Sequence, residues 1–89
     1  MRAECLRTGA VVDCVDTASD ARGIVNAEAC GRMGIGAVVA APVRVESRTV
    51  GVLEIHSALA YNFMVGDVEV LKRVADVIGA LICRKGTGV

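Results

Sequence analysis

Few side chains in this 89-residue sequence can do chemistry on a ligand, and most of them stand alone. His56 is the single histidine, and Glu54 lies two positions before it in the run Val50-Gly51-Val52-Leu53-Glu54-Ile55. In an extended strand, residues i and i+2 point to one face, so the carboxylate and the imidazole stand together with Val50 and Val52. An ionisable pair on a mostly apolar sheet can orient a small polar ligand. Near a strand end the same groups can reach water, and that plainer reading carries more weight. One histidine is too few to make the pair a metal site.

Arg22, with Asp16 and Asp20, forms a second cluster. It can bind an anion, but aspartate-rich loops more often hold their own backbone together, and the structural reading weighs more. Cysteines at positions 5, 14, 30 and 83 leave gaps of 9, 16 and 53, which match no paired zinc motif. Buried or incidental thiols in a reducing cytosol are the expectation. No Ser/His/Asp set accompanies Cys30, and His56 is the only candidate base. Gly31, Gly34 and Gly36 follow a helix and precede a strand. A dinucleotide fingerprint needs the reverse order, so it is excluded.

These groups need elements to hold them, and the composition bounds those elements. Hydrophobic residues make up 54% and charged ones 22%, which excludes a disordered segment. Tyr61 and Phe63 are the only aromatics, so no platform for stacking bases is available. Ten basic residues balance ten acidic ones without clustering. That argues against nucleic-acid and membrane-surface partners. The N-terminal residues lack an apolar run, and no stretch approaches the roughly 18 apolar residues of a membrane span. A soluble, cytoplasmic location is expected, in one domain over residues 1–89.

Residues 10–15 read as a short strand, and residues 16–20 as a polar loop in which Ser19 or Asp20 can cap a helix. The helix is expected over about residues 21–33, with Ile24, Val25, Ala29 and Met33 along one side and Gly34 at its end. The almost uniformly apolar run 36–45 suits a central strand covered on both faces, with bulged or one-sided pairing at Pro42. A short polar turn at residues 46–49 then joins it to the strand 50–56 as an antiparallel hairpin. The final helix is expected from Asp67, as N-cap, to about Cys83, with Arg84, Lys85 and Gly86 suiting its end. Val68, Leu71, Ala75, Ile78 and Ile82 share one face, a packing or dimer face. Val70, Val74, Val77 and Leu81 make an adjacent stripe, so the apolar arc is wide.

The succession of motifs resembles a GAF domain, the small-molecule-sensing fold related to PAS domains. Thr8-Gly9 before valines, then Asp16 and Asp20-Ala21-Arg22, is similar to that family's first segment, with Ala21 where proline is common. Met33-Gly34-Ile35 leading into Val38-Val39-Ala40-Ala41-Pro42-Val43 resembles its next strand, and residues 50–55 resemble its "iGvLel" strand. Phe63 and Asp67, with Leu71, Ala75 and Ile78 beyond, complete the order.

The resemblance implies an α/β fold of α+β type, a GAF/PAS-like central antiparallel sheet flanked by helices. It also implies N-terminal truncation, with the family's first helix and strands missing. The implied function is a regulatory small-molecule sensor or signal-relay module of a cytoplasmic signalling or transcription-regulating protein. Glu54, His56, Val52 and Arg22 are then the candidate ligand-binding residues, and no cofactor or metal is identifiable beyond an unknown small molecule. A homodimer is expected, because the wide arc needs more partner surface than one hairpin gives. A ligand-free dimerisation scaffold is the alternative. Some members of the fold reduce free methionine sulfoxide through cysteines, which makes a thiol reductase using Cys30 the third reading. No catalytic constellation supports an enzyme.

Overall fold

A computed structural model describes the backbone of residues 1–87 and the side chains of residues 1–84. Its centre is β2 (Ala37–Val45), whose first five residues are buried. β1 (Val12–Cys14) pairs with it on one side and β3 (Arg48–Ser57) on the other, both antiparallel, giving the order β1-β2-β3. A central strand with both faces covered has no wet side, which explains its unbroken apolar run. β1 reaches only Val38 to Ala40, so Pro42 faces a partner on one side alone, Val52 of β3. A missing N–H there costs no ladder bond on the open side. The register of the hairpin shifts between Val43 and Arg44, one residue beyond the proline.

One face of the sheet carries α3 (Val65–Thr87). Val39, Ala41 and Val43 of β2 meet Leu71 and Ala75 there, with Val68, Ile78, Leu53, Ile55 and Phe63 packed around them. A Val or Leu side chain among them contributes about 1.5–3 kcal/mol when fully buried. Gly79 lets α3 touch β2 directly, because a Cβ at that position would lie 2.0 Å from the Arg44 carbonyl oxygen. The other face carries α1 (Arg2–Thr8), whose Cys5 is buried with Val12 and Ala40 and lies beside Val52. The mixed α/β fold expected from the sequence is therefore present, with an antiparallel sheet between helices.

Several boundaries differ from the sequence expectation. α1 was not anticipated, since seven residues are two turns and give no readable period. The helix expected over residues 21–33 is confined to α2 (Ala27–Met33). Asp20 does not cap it: its carboxylate accepts backbone N–H bonds from Ile24 (2.8 Å) and Val25 (3.0 Å), holding residues 20–25 in an irregular loop. Gly23, at φ 69°, turns that loop. The cap is Asn26, which accepts from the Ala29 N–H at 3.0 Å, and Gly34 closes the far end at φ 71° as expected. Ile24 and Val25 thus lie outside the helix, and Met33 is 71% exposed. Ser19 ends a 3-10 turn (Thr17–Ser19) capped by Asp16.

α3 starts at Val65, so Asp67 is its third residue and not its N-cap. Its carboxylate reaches back to the Met64 N–H at 2.8 Å, the reciprocal half of a capping box. The helix also runs past Gly86 to Thr87. The expected role of Lys85 and Gly86 at its end involves side chains beyond those described.

Candidate functional site

The hairpin register decides what shares a face. Val38 pairs with Cys14 and His56, Ala40 with Val12 and Glu54, and Pro42 with Val52. Directly opposed residues point to one side of a sheet. Glu54 and His56 therefore end two rows that run Cys14-Val38-His56 and Val12-Ala40-Glu54, on the face that carries α1. The other members of those rows are apolar. His56 Nε2 lies 3.2 Å from Glu54 Oε2, with side-chain exposures of 44% and 25%. Leu53 and Ile55 point the other way and pack with the α3 cluster.

Glu54 also acts on its surroundings electrostatically. The Cys5 thiol is pushed above its ordinary value of 9.0, first by burial and then by the Glu54 charge, with Arg44 and the N-terminus opposing. The Glu54 side chain itself keeps 25% exposure on the face that carries α1. Val52 packs against the same Cys5 cluster.

Arg22 stands elsewhere. Its guanidinium donates to the Asp13 carbonyl oxygen and to Asp20 at 3.4 Å, at the β1 edge of the sheet. β1 and β3 are two strand spacings apart, roughly 10 Å. The four candidate residues therefore form two places: Val52, Glu54 and His56 together, and Arg22 apart. Asp16 does not join Arg22 either, since it accepts from the Ala18 N–H and the Ser19 hydroxyl. Burial alone would raise the Asp20 carboxyl. The N–H bonds of Val25, Ile24 and Arg22 and the Arg22 side chain outweigh it and hold the group below its usual 3.8. The loop around Arg22 is knitted internally, and it borders a hollow of about 310 Å³ with Cys14 and Tyr61. Nothing in the sequence signals that Tyr61 would stand there; its backbone, at φ 57°, donates to the Val15 carbonyl at 2.7 Å.

On the expected helix face, Leu71 and Ala75 are buried against the sheet, Val68 and Ile78 pack beside them, and Ile82 is 44% exposed. Cys5 and Cys14 are buried, while Cys30 on α2 and Cys83 on α3 are half-buried. Among the described residues no disulfide forms and no His, Cys, Asp and Glu group could hold a metal ion. Among them, too, no helix is long and apolar enough to cross a membrane.

The GAF domain family model matches residues 2–82. Solved structures share the fold at low sequence identity. A type II free methionine-R-sulfoxide reductase from Thermoplasma acidophilum is 18% identical, with a TM-score of 0.77 over 92% of this chain and 54% of its own. The cyanobacteriochrome TePixJ GAF domain is 14% identical, with a TM-score of 0.73 over 98% and 54%. The phycocyanobilin-bound GAF domain of a cyanobacterial phytochrome is 20% identical, with a TM-score of 0.71 over 92% and 51%. The chain thus spans about half the length of the structures it resembles. No curated protein sequence matches it.

Proposed function

The chain belongs to the GAF domain family, and from that premise we propose that it is a regulatory small-molecule-sensing module of a cytoplasmic signalling or transcription-regulating protein. The observation that carries the reading is the Glu54–His56 pair, 3.2 Å apart, with Glu54 partly buried, in sheet rows whose other members are apolar. An apolar floor with two convergent polar groups suits a small ligand that has one polar end. Val52 lies beside the pair and packs against the Cys5, Val12 and Ala40 cluster beneath α1. Arg22 has a structural role at the other edge. A ligand seated on Val52 and Glu54 would press on the strand whose opposite face packs α3, and α3 is the element that passes the change on. Such relay requires that the ligand bind two packings of α3 unequally. Phycocyanobilin is what one neighbouring structure holds; at 20% identity it lends this chain only the precedent of the fold.

NMR is the direct test: the His56 ring and the Val52 methyls are followed while a library of small carboxylates, amines and heteroaromatics is titrated in. The reading predicts hits that shift both groups and bind at least about tenfold more weakly to Glu54→Gln, as expected for one charge-assisted hydrogen bond. Hits that shift neither group, or bind Glu54→Gln equally well, would overturn it. The reductase reading has less support, since it rests on Cys30 alone.

A further inference from the structure

We propose that residues 57–61 form a latch that ties the loop after β1 to the start of α3, so that the Arg22 loop and α3 shift together. Three connections meet at one end of the sheet: residues 15–17 after β1, residues 34–36 before β2 and residues 58–64 after β3. The Tyr61 N–H donates to the Val15 carbonyl at 2.7 Å, the Thr17 N–H to the Gly36 carbonyl at 3.0 Å, and the Gly36 N–H to the Ser57 carbonyl at 2.7 Å. Those three bonds close a ring, because each connection is joined to both of the others. Thr17, only 3% exposed, adds a bond from its hydroxyl to the Ile35 carbonyl at 2.6 Å.

The ring has no slack at Gly36. A Cβ there would lie 2.6 Å from the Ala58 carbonyl oxygen and 2.7 Å from the Ala60 nitrogen. Backbone packed that closely moves as one body. The Ser57 hydroxyl stiffens the same turn, accepting from the Leu59 N–H at 3.1 Å and the Asn62 side-chain amide at 2.9 Å.

Tyr61 is the point of release. Its φ of 57° lies in the left-handed region, which a bulky side chain occupies only at a cost. The bond to Val15 holds it there, so the latch has two states: bonded with Tyr61 strained, or open with Tyr61 relaxed. Each neighbour of the bond leads into a separate segment. Val15 continues through Thr17 to Asp20, whose carboxylate ties residues 22–25. Tyr61 continues through three residues to Val65, the first of α3. Those three are themselves held, Asn62 by Ser57, Phe63 in the cluster beneath α3, and Met64 by Asp67. A shift of Tyr61 therefore passes to α3 without being absorbed on the way. The coupling stands whether or not the Glu54–His56 pair binds a ligand, and it gives α3 a second controlling contact.

Amide hydrogen exchange followed by NMR tests this in wild type, Thr17→Val and Tyr61→Asn, with circular dichroism confirming that each folds. In wild type the Thr17, Gly36 and Tyr61 amides should share one protection factor, at least about tenfold below that of the central β2–β3 ladder. Asp67 and Val68, whose N–H groups bond to the Met64 carbonyl, should share it too. Thr17→Val removes one buried hydrogen bond and should speed exchange about fivefold at Gly36, Tyr61, Asp67 and Val68 alike. Asparagine accepts left-handed backbone more readily, so Tyr61→Asn should slow exchange about threefold at Gly36, Asp67 and Val68. The hairpin end at Val45 and Arg48 should change in neither variant. Latch amides that exchange only at the rate of the central ladder would overturn the proposal. So would a Thr17→Val effect that stops short of Tyr61 and the start of α3, or one that spreads equally to the hairpin end.

Discussion

At the scale of single residues, burial and local hydrogen bonding decide which groups are reactive. Cys5 and Cys14 are both raised above 9.0, chiefly by burial. A raised folded value means that the neutral thiol contributes stability in full below pH 9.0 and loses it as pH climbs through the folded value. Melting temperature should therefore fall above about pH 9, and Cys14→Ala should flatten that fall. In the native state an aromatic disulfide reagent should label Cys30 well before Cys5 or Cys14, which mass spectrometry of the labelled peptides would show. Asp20 behaves oppositely. Its folded value lies below 3.8, so its contribution is present above that value and is lost as pH falls through the folded one. Asp20→Asn should melt lower at neutral pH and show less further loss on acidification, because the carboxylate that ties residues 22–25 is gone. The aspartate-rich character of this loop was legible in the sequence. That Asp20 serves the loop and Asn26 the helix was not, since both types accept N–H bonds equally well.

At the scale of elements, close approach and capping set the boundaries. Gly79 sits inside α3, where alanine would normally gain about 1 kcal/mol of helix propensity. Here the added Cβ would strike the Arg44 carbonyl, so Gly79→Ala should instead destabilise the fold by about 2 kcal/mol in urea titration. Asp67→Ala removes the acceptor for Met64 and should cost about 1 kcal/mol by the same measurement. The periodicity of α3 and the β2–β3 hairpin could be read directly, because Leu71 and Ala75 repeat at helical spacing and a short polar stretch separates two β-branched runs, although the turn is residues 46–47 and not the expected 46–49. α1 could not, since one buried Cys5 in two turns leaves no pattern.

For the whole molecule, the balance between covered and open apolar surface is the governing quantity. One face of α3 is buried while Val70, Val74, Val77 and Leu81 stay 44–59% exposed. A small domain has little stability to spare, so what covers such a stripe matters to its folding. If a second copy covers it, melting temperature should rise with protein concentration, because mass action adds to the stability of the associated state. Val74→Asp should abolish that dependence in a thermal melt series while leaving the dilute-limit melting temperature within a few degrees, since Val74 is already 44% exposed.

From the residues alone came the family, the element types and the sharing of a face by Glu54 and His56, because these depend on local periodicity and on motif order along the chain. The tertiary structure decided which groups meet. Arg22 and Glu54 were grouped by chemistry, and the sheet order placed them at opposite edges. Strand order and the helix that covers each face are set by contacts far apart in sequence, which no local spacing encodes.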